Sequence, residues 1–340
     1  MHSVGKFRIV ILIKFSPKRY EQMPYHRVGR SGLTLPALSL GMWHNFGPDD
    51  SFENQRELLK TSFDLGITHF DLADNYGGGT AEINVGRILK TDFKAYRDEL
   101  ILSSKSGHRM WEGPYGGAEG GGTRKHLLAG IDQSLRRMDL DYVDIFYHHV
   151  VDPTTPLEET ADALAQIVRQ GKALYIGISK YYGDLSRTMI RLLGEAGAPC
   201  LINQLPFNLF DQSAQTSGEF AGLVADGVGA ITFSPLAQGI LTDRYLKGIP
   251  SDSRAATEGT FLKPDALTDE VLTKVKKLTE IASRRAQTLA QMAICWNLTF
   301  EPVASVLIGA SRPEQVVSNV EALKNTEFSD EEHREINAVL

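Results

Sequence analysis

Short apolar runs alternate along this chain with longer stretches in which apolar residues recur every three or four positions. Runs of strand character fall at 36–43, 69–74, 99–105, 142–149, 173–179, 200–206, 229–236 and 303–309. Several are almost continuously apolar, as in Ala173-Leu-Tyr-Ile-Gly-Ile-Ser179, the pattern of strands covered on both faces. Helical periodicity lies at 51–65, 81–90, 125–138, 157–170, 184–196, 218–226, 269–298 (two helices) and 312–323. In 125–138, for example, Leu127, Leu128, Ile131, Leu135 and Met138 share one face. Ser51 is a candidate N-cap, and Gly66, Gly171, either Gly194 or Gly197, and Gly227 are the expected helix stops.

Strand–helix units repeated eight times predict an α/β fold, a (β/α)8 TIM barrel. An open, doubly wound sheet is the alternative. Ahead of the first unit, Tyr25-His-Arg-Val-Gly-Arg-Ser-Gly-Leu-Thr-Leu35 has a turn at Arg30-Ser-Gly32 and predicts a β-hairpin that caps the barrel bottom. Two long connections, Ser106 to Arg124 and Ala237 to about Thr268, each follow a strand, so both are expected on the C-terminal face, where sites of this fold lie. Residues 20–340 are expected to form a single barrel domain, and 1–19 an N-terminal extension. The apolar run Phe7-Arg-Ile-Val-Ile-Leu-Ile-Lys14 is short, interrupted by Arg8 and followed by no cleavage pattern, so it is an added strand or a start-site artefact rather than a leader.

Composition removes several function classes. The 340 residues carry a net charge of -6 with no basic run, which argues against nucleic acid as a partner. No stretch approaches the roughly 18 apolar residues of a membrane span, so no membrane association is expected. Cys200 and Cys295 are far apart, sit in apolar runs and have no metal-ligand spacing; two buried free thiols in a reducing, cytoplasmic setting are expected. His148, His149 and Asp152 are close in sequence, but adjacent strand residues face opposite ways, so no metal site is expected.

The candidate chemistry is at strand ends. Asp71 and Tyr76 lie in His69-Phe-Asp-Leu-Ala-Asp-Asn-Tyr76, Lys105 closes Leu100-Ile-Leu-Ser-Ser-Lys105, and His149 closes Tyr142-Val-Asp-Ile-Phe-Tyr-His-His149. Taken singly, each has an ordinary structural role open to it: a turn cap, a loop aromatic, a surface lysine, a core histidine. One barrel register, however, brings all four to one pocket. A phenol with pKa near 10 is a poor acid–base catalyst alone; a neighbouring ammonium lowers that value. Asp71 would keep Lys105 charged, and His149 could orient a carbonyl oxygen. Tyr76 is then the natural proton donor to an incipient alkoxide, and a cofactor must supply the hydride.

These motifs resemble those of the aldo-keto reductases, from about Tyr25 to Leu340: Phe70-Asp-Leu-Ala-Asp-Asn-Tyr76 is similar to the family's FD-T-A-x-x-Y motif, Ser104-Lys105 to its lysine site, and Tyr142-Val-Asp…His149 to its histidine strand. The resemblance implies a tetrad of Asp71, Tyr76, Lys105 and His149, and a bound NADP(H). Its cofactor positions fall on Trp43, Asp71, Ser179, Gln204 (beside Asn203), Phe233, Ser234, Leu236, Gly239, Arg244, Arg254, Gly309, Ser311, Arg312, Gln315 and Asn319. Arg254 and Arg312, the latter opening a helix, suit a 2′-phosphate and hence NADPH over NADH. Pro36–Gly47, Met110–Tyr115 and Gly248–Arg254 resemble a subgroup that includes glyceraldehyde 3-phosphate reductases and potassium-channel β-subunits. That implies a small-molecule aldehyde substrate (L-glyceraldehyde 3-phosphate, methylglyoxal-like) and a homo-oligomer, tetramer or octamer; the alternative it leaves is an NADPH-binding regulatory subunit with weak turnover. Lys180 departs from the usual Asn, Ser318 from the usual acidic residue, and Gly77–Thr80 is short. Lys180, Arg109, Arg124 and Lys125 are candidates for a substrate phosphate or plain surface charges.

Overall fold

Each apolar run forms one parallel strand, and the eight close on themselves. The computed structural model describes residues 14–117, 121–251, 253–256 and 262–340. A hairpin of β1 (Tyr25–Arg27) and β2 (Thr34–Pro36) precedes the barrel strands β3 (Leu38–Gly41), β4 (His69–Asp71), β5 (Ile101–Ser106), β6 (Val143–His148), β7 (Ala173–Ser179), β8 (Cys200–Pro206), β9 (Gly229–Phe233) and β10 (Val303–Ile308). Neighbours follow chain order, and β10 pairs in parallel with β3 to close the barrel. The closed ring excludes the open doubly wound sheet.

Helices lie where the periodicity puts them, and their ends are set by local chemistry. Ser51 accepts from the Asn54 backbone N–H at 3.3 Å and caps helix Phe52–Asp64. Gly197, not Gly194, terminates helix Gly183–Glu195: it takes φ 79°, a left-handed conformation that costs glycine least. Several strands are shorter than expected, most of all three: β4 stops at Asp71, β9 stops before Ser234 at φ 56°, and the first barrel strand begins only after the β2 hairpin strand has used Pro36. A C-terminal helix, Asp330–Val339, was not expected; its Ser329/Glu332 capping box is a sequence signal for it.

The hairpin closes the N-terminal end of the barrel, as expected. Gly29 turns at φ 52°, and Arg30 donates its backbone N–H to Gly227 O at 2.8 Å, just before β9. Val28 and Leu35, both fully buried, join Ile145, Ile202, Ile231 and Leu307 inside the barrel. Upstream, Phe15 packs on Phe63, Phe93 and Tyr96 at centroid distances of 4.8, 5.0 and 5.1 Å. The strand considered at residues 7–14 falls almost wholly outside the described residues. Cys200 and Cys295 are free and buried, and burial pushes their thiols up to about 12 and about 11. Among the described residues, no helix is long and apolar enough to cross a membrane.

Candidate active site

Strand alternation sends Asp71 and Lys105 inward at the C-terminal end of the barrel and turns their neighbours to the helices: Ser104 donates to Glu82 at 2.6 Å, and Ser106 meets His126 at 3.2 Å. Register sets the height, pairing Asp71 with Ser103 and Lys105 with Tyr147. His149 follows β6, its backbone N–H donating to Ser106 O at 3.0 Å. Tyr76 starts a tight turn over Gly77, Gly78 and Gly79, with φ of 56°, 63° and 94°, which folds the chain back over the barrel mouth.

All four expected side chains converge. Lys105, fully buried, donates to Asp71 Oδ2 at 2.5 Å, Leu72 O at 2.6 Å and Tyr76 Oη at 3.2 Å. An ammonium has three protons, and all are used. The Tyr76 oxygen is therefore an acceptor toward Lys105, and its own proton is left to point elsewhere. The Tyr76 and His149 rings are 5.9 Å apart at 76°, so an oxygen atom between them can meet both.

Burial dominates the electrostatics. It raises the Tyr76 phenol, and Lys105, pulling the other way, does not reverse it. This differs from the lowered phenol expected from sequence, because excluding water from a phenolate outweighs one nearby ammonium. Burial also opposes the charge on Lys105, but Asp71 and Tyr76 outweigh it and the net shift is upward. Burial, then Lys105, His108 and Lys180, hold His149 well below the usual histidine range. At neutral pH the pocket thus holds a protonated phenol and a neutral imidazole, both able to donate a hydrogen bond to a carbonyl oxygen, beside an ammonium whose protons are already engaged.

Apart from Trp43, after β3, and Asp71, at the end of β4, the expected cofactor positions form an arc along the ends of β7 to β10. Ser179 donates to Gln204 O at 3.1 Å, and Gln204 Nε2 reaches Asp71 Oδ1 at 3.3 Å. Asn203 instead turns outward, donating to Tyr181 O and Glu219 at 2.8 and 3.2 Å, so alternation removes it from the pocket. Half-buried Phe233 ends β9, and the turn after it carries positive φ at Ser234, Ala237, Gln238 and Gly239, with Leu236 among them. Such clustering is typical of functional loops. Arg254 donates to Gln238 at 2.8 Å and ties the second long loop to this turn. Arg244 is exposed nearby. Beyond β10 and exposed Gly309, the Ser311 N–H donates to Gln315 at 2.7 Å, Arg312 precedes helix Pro313–Ala322 and is 3.9 Å from Glu314, and Asn319 is buried on that helix. Trp43 lies 6.4 Å from Tyr76, ring to ring. Ser318 accepts from Gln291 at 2.9 Å through its carbonyl oxygen.

Sequence reasoning missed several neighbours. His108 stands edge-on to His149 at 4.5 Å; only its place three residues after Lys105 pointed to it. Burial, then Arg254, push His44 down to about 4, so the loops after β3 and β9 approach each other across the mouth. Asn45 and Asn54 fix the segment after β10 by donating to Ala310 O and Ser311 O at 3.1 and 2.9 Å. Of the basic candidates, Arg109 pairs with Glu112, and Arg124 pairs with Asp162 and Gln166 in a groove between two outer helices that Lys125 also lines. Lys180 alone follows a barrel strand at the rim, half-buried, at φ 59°. His148 turns away from His149 to bond Tyr181 Oη at 2.6 Å, and Asp152 is occupied by Gly122, Thr154 and Thr155.

The sequence profile described as Aldo/keto reductase family matches residues 37–340. An L-glyceraldehyde 3-phosphate reductase of Escherichia coli O157:H7 is 55% identical over 326 residues, 94% of this chain and 93% of that one. A probable voltage-gated potassium channel subunit beta of Oryza sativa subsp. japonica is 37% identical over 307 residues, 88% and 91% of the two chains. Among solved structures, an aldo-keto reductase from Bacillus halodurans in its holo form superposes with a TM-score of 0.76 at 25% identity, covering 93% of this chain and 96% of the other.

Proposed function

The chain belongs to the aldo/keto reductase family and is an oxidoreductase; on that premise we propose that it reduces small aldehydes with NADPH, glyceraldehyde 3-phosphate foremost. The observation that carries this reading is the use of all three Lys105 protons on Asp71, Leu72 and Tyr76. Tyr76 is thereby oriented as an acid, with Lys105 ready to stabilise the phenolate that remains after proton transfer. Neutral His149 donates a second hydrogen bond to the same carbonyl oxygen and holds it in line.

The residues present fit a nicotinamide cofactor. Ser179 and Gln204 offer polar groups for the carboxamide, Phe233 a flat apolar face, and the exposed Arg312, with Arg254 and Arg244, fixed positive charge for phosphates. When bound, NADPH supplies the hydride. Asp71 keeps Lys105 charged in a site where an unpaired ammonium would tend to neutralise. Lys180 is the basic side chain at the rim best placed to meet a substrate phosphate. Two buried free thiols fit a cytoplasmic setting, and the family resemblance supports a homo-oligomer.

The test is NADPH oxidation with glyceraldehyde 3-phosphate, methylglyoxal and 4-nitrobenzaldehyde as separate substrates. Turnover is expected with at least the first. In Tyr76→Phe kcat should fall on the order of 10³-fold while NADPH still binds. Retained turnover would remove Tyr76 as the acid. Tight NADPH binding with no turnover on any substrate would favour a regulatory subunit, the role named for the rice relative.

A further inference from the structure

Beneath the Lys105–Asp71 pair, the barrel interior holds a row of polar side chains that the reaction scheme leaves unexplained. Ser305 of β10, Ser39 of β3, His69 of β4 and Ser103 of β5 are all fully buried. Ser305 Oγ lies 2.6 Å from Ser39 Oγ, Ser39 Oγ 2.8 Å from His69 Nδ1, His69 Nε2 3.0 Å from Ser103 Oγ, and Ser103 Oγ 2.6 Å from Asp71 Oδ1. Register explains the row: Leu307 pairs with Ser39 and Ser103 with Asp71, so the inward-facing positions of β10, β3, β4 and β5 follow one another around the lumen, with Ser305 two residues before the partner of Ser39 and His69 two before the partner of Ser103.

Proton counting gives the row a direction. A carboxylate only accepts, so Ser103 must donate its single proton to Asp71. The Ser103 oxygen then accepts from His69, which fixes the Nε2–H tautomer. His69 Nδ1, left as an acceptor, takes the Ser39 proton, and Ser39 takes that of Ser305. Every donor points toward Asp71, and each bond polarises the next. Burial, opposed by Asp71 and aided by Lys105, pushes His69 down to about 4, so it stays neutral and the arrangement persists at neutral pH.

We propose that His69 is a positioning residue of the reaction: through Ser103 it holds Asp71 turned against Lys105, and thereby sets the acidity of Tyr76. The proposal rests on the reductase reading above. Without His69, Ser103 still donates to Asp71 but lacks the polarising bond behind it, and without Ser103 that donor is lost outright; in either case Asp71 draws more strongly on Lys105. Lys105 then stabilises the Tyr76 phenolate less, and the phenol becomes a weaker acid.

The experiment compares His69→Leu, His69→Gln and Ser103→Ala with the unaltered protein, reading initial kcat for glyceraldehyde 3-phosphate from pH 6 to about pH 12, a range that takes in a phenol raised above its ordinary value near 10. Wild-type turnover is read first; if it is absent, the reductase reading itself falls. Reduction needs protonated Tyr76, so the rate declines as pH rises through the phenol's apparent pKa. In His69→Leu and Ser103→Ala that limb should move upward by about 0.5–1 pH unit, with kcat down roughly tenfold. His69→Gln, which keeps an N–H for Ser103, should recover most of the loss. A limb that does not move in either disrupting variant, with kcat within about twofold of wild type, overturns the proposal while leaving the reductase reading intact. If His69→Leu does not fold, Ser103→Ala tests the bond to Asp71 and the histidine NMR described next decides the role of His69. A readout independent of turnover is ¹⁵N NMR of labelled histidine in the protein without cofactor. His69 should show a neutral Nε2–H ring from pH 6 to pH 9, and an Nδ1–H ring would equally overturn the proposal.

Discussion

The barrel interior has two unlike halves. On one side Ile145 and Tyr147 of β6, Ile202 of β8, Ile231 of β9 and Leu307 of β10 pack with Val28 and Leu35 of the hairpin. Gly177 of β7 leaves room there, since a Cβ on it would come within 2.4 Å of the Tyr147 ring. On the other side Ser305, Ser39, His69, Ser103, Asp71 and Lys105 form one buried hydrogen-bonded assembly. The apolar half gains stability by removing hydrocarbon from water. The polar half forgoes that gain and is tolerated because its groups answer one another. The difference shows how one lumen serves two ends: half of it secures the fold, and half holds a charged pair at fixed geometry under Tyr76.

The largest effect that could break this division is expected from Lys105→Met. Loss of the ammonium should weaken Tyr76 as an acid and cut kcat by about 10²-fold or more. It also leaves the Asp71 carboxylate buried without a cation, at about 3–5 kcal/mol of stability, measured by urea unfolding. A variant that keeps full stability would show that the pair is not strongly desolvated. Ile231→Ala, in the other half, should behave oppositely, losing about 2–5 kcal/mol while kcat of the folded fraction holds. A matching loss in kcat would mean the two halves are coupled.

At the rim, Arg254→Ala combined with Arg312→Ala should weaken NADPH binding about tenfold or more and leave NADH nearly untouched. Equal weakening of both would relocate the 2′-phosphate. The smallest effect is expected at Asp74, a buried carboxyl outside the lumen that lacks such support. Burial pushes it up to about 7, against the Ser106 hydroxyl and with Glu82 adding to the rise. Its folded value exceeds the unfolded one near 3.8, so the folded state holds the extra proton between those values. Stability then falls as pH rises through that window, and the penalty is complete above about pH 7. Asp74→Asn should therefore stabilise by about 1–3 kcal/mol at pH 8, with the gain shrinking toward pH 4. An equal gain at both pH values would exclude titration of Asp74 as its source.

Much of the architecture was legible in residue order. Continuous apolar runs such as Ala173–Ser179 are β7 to the residue: from Ile176 to Ser179 the strand is buried on both faces, while Leu174 near its start is exposed. Helix stops at Gly66, Gly171 and Gly227 all have positive φ, since the local backbone requirement is written in the residue type. Asp71, Tyr76, Lys105 and His149 could be named because strand ends of one barrel converge. Asn203 could not be told from Gln204 by composition; only the observed alternation turns one outward to Glu219 and the other to Asp71.

By itself, then, the sequence determined the strand–helix order, the hairpin and the strand ends that meet at the C-terminal mouth, all consequences of short-range periodicity and turn chemistry. Tertiary structure alone decided the rest. Ser305 and Ser39 lie 266 residues apart, and nothing local marks them as neighbours; barrel closure of β10 on β3 joins them. The raised phenol of Tyr76, the neutral ring of His149 and the direction of the row through His69 follow from burial and hydrogen-bond partners. Those are properties of packed space rather than of residue order, because desolvation and proton direction exist only once water is excluded and each donor has met its acceptor.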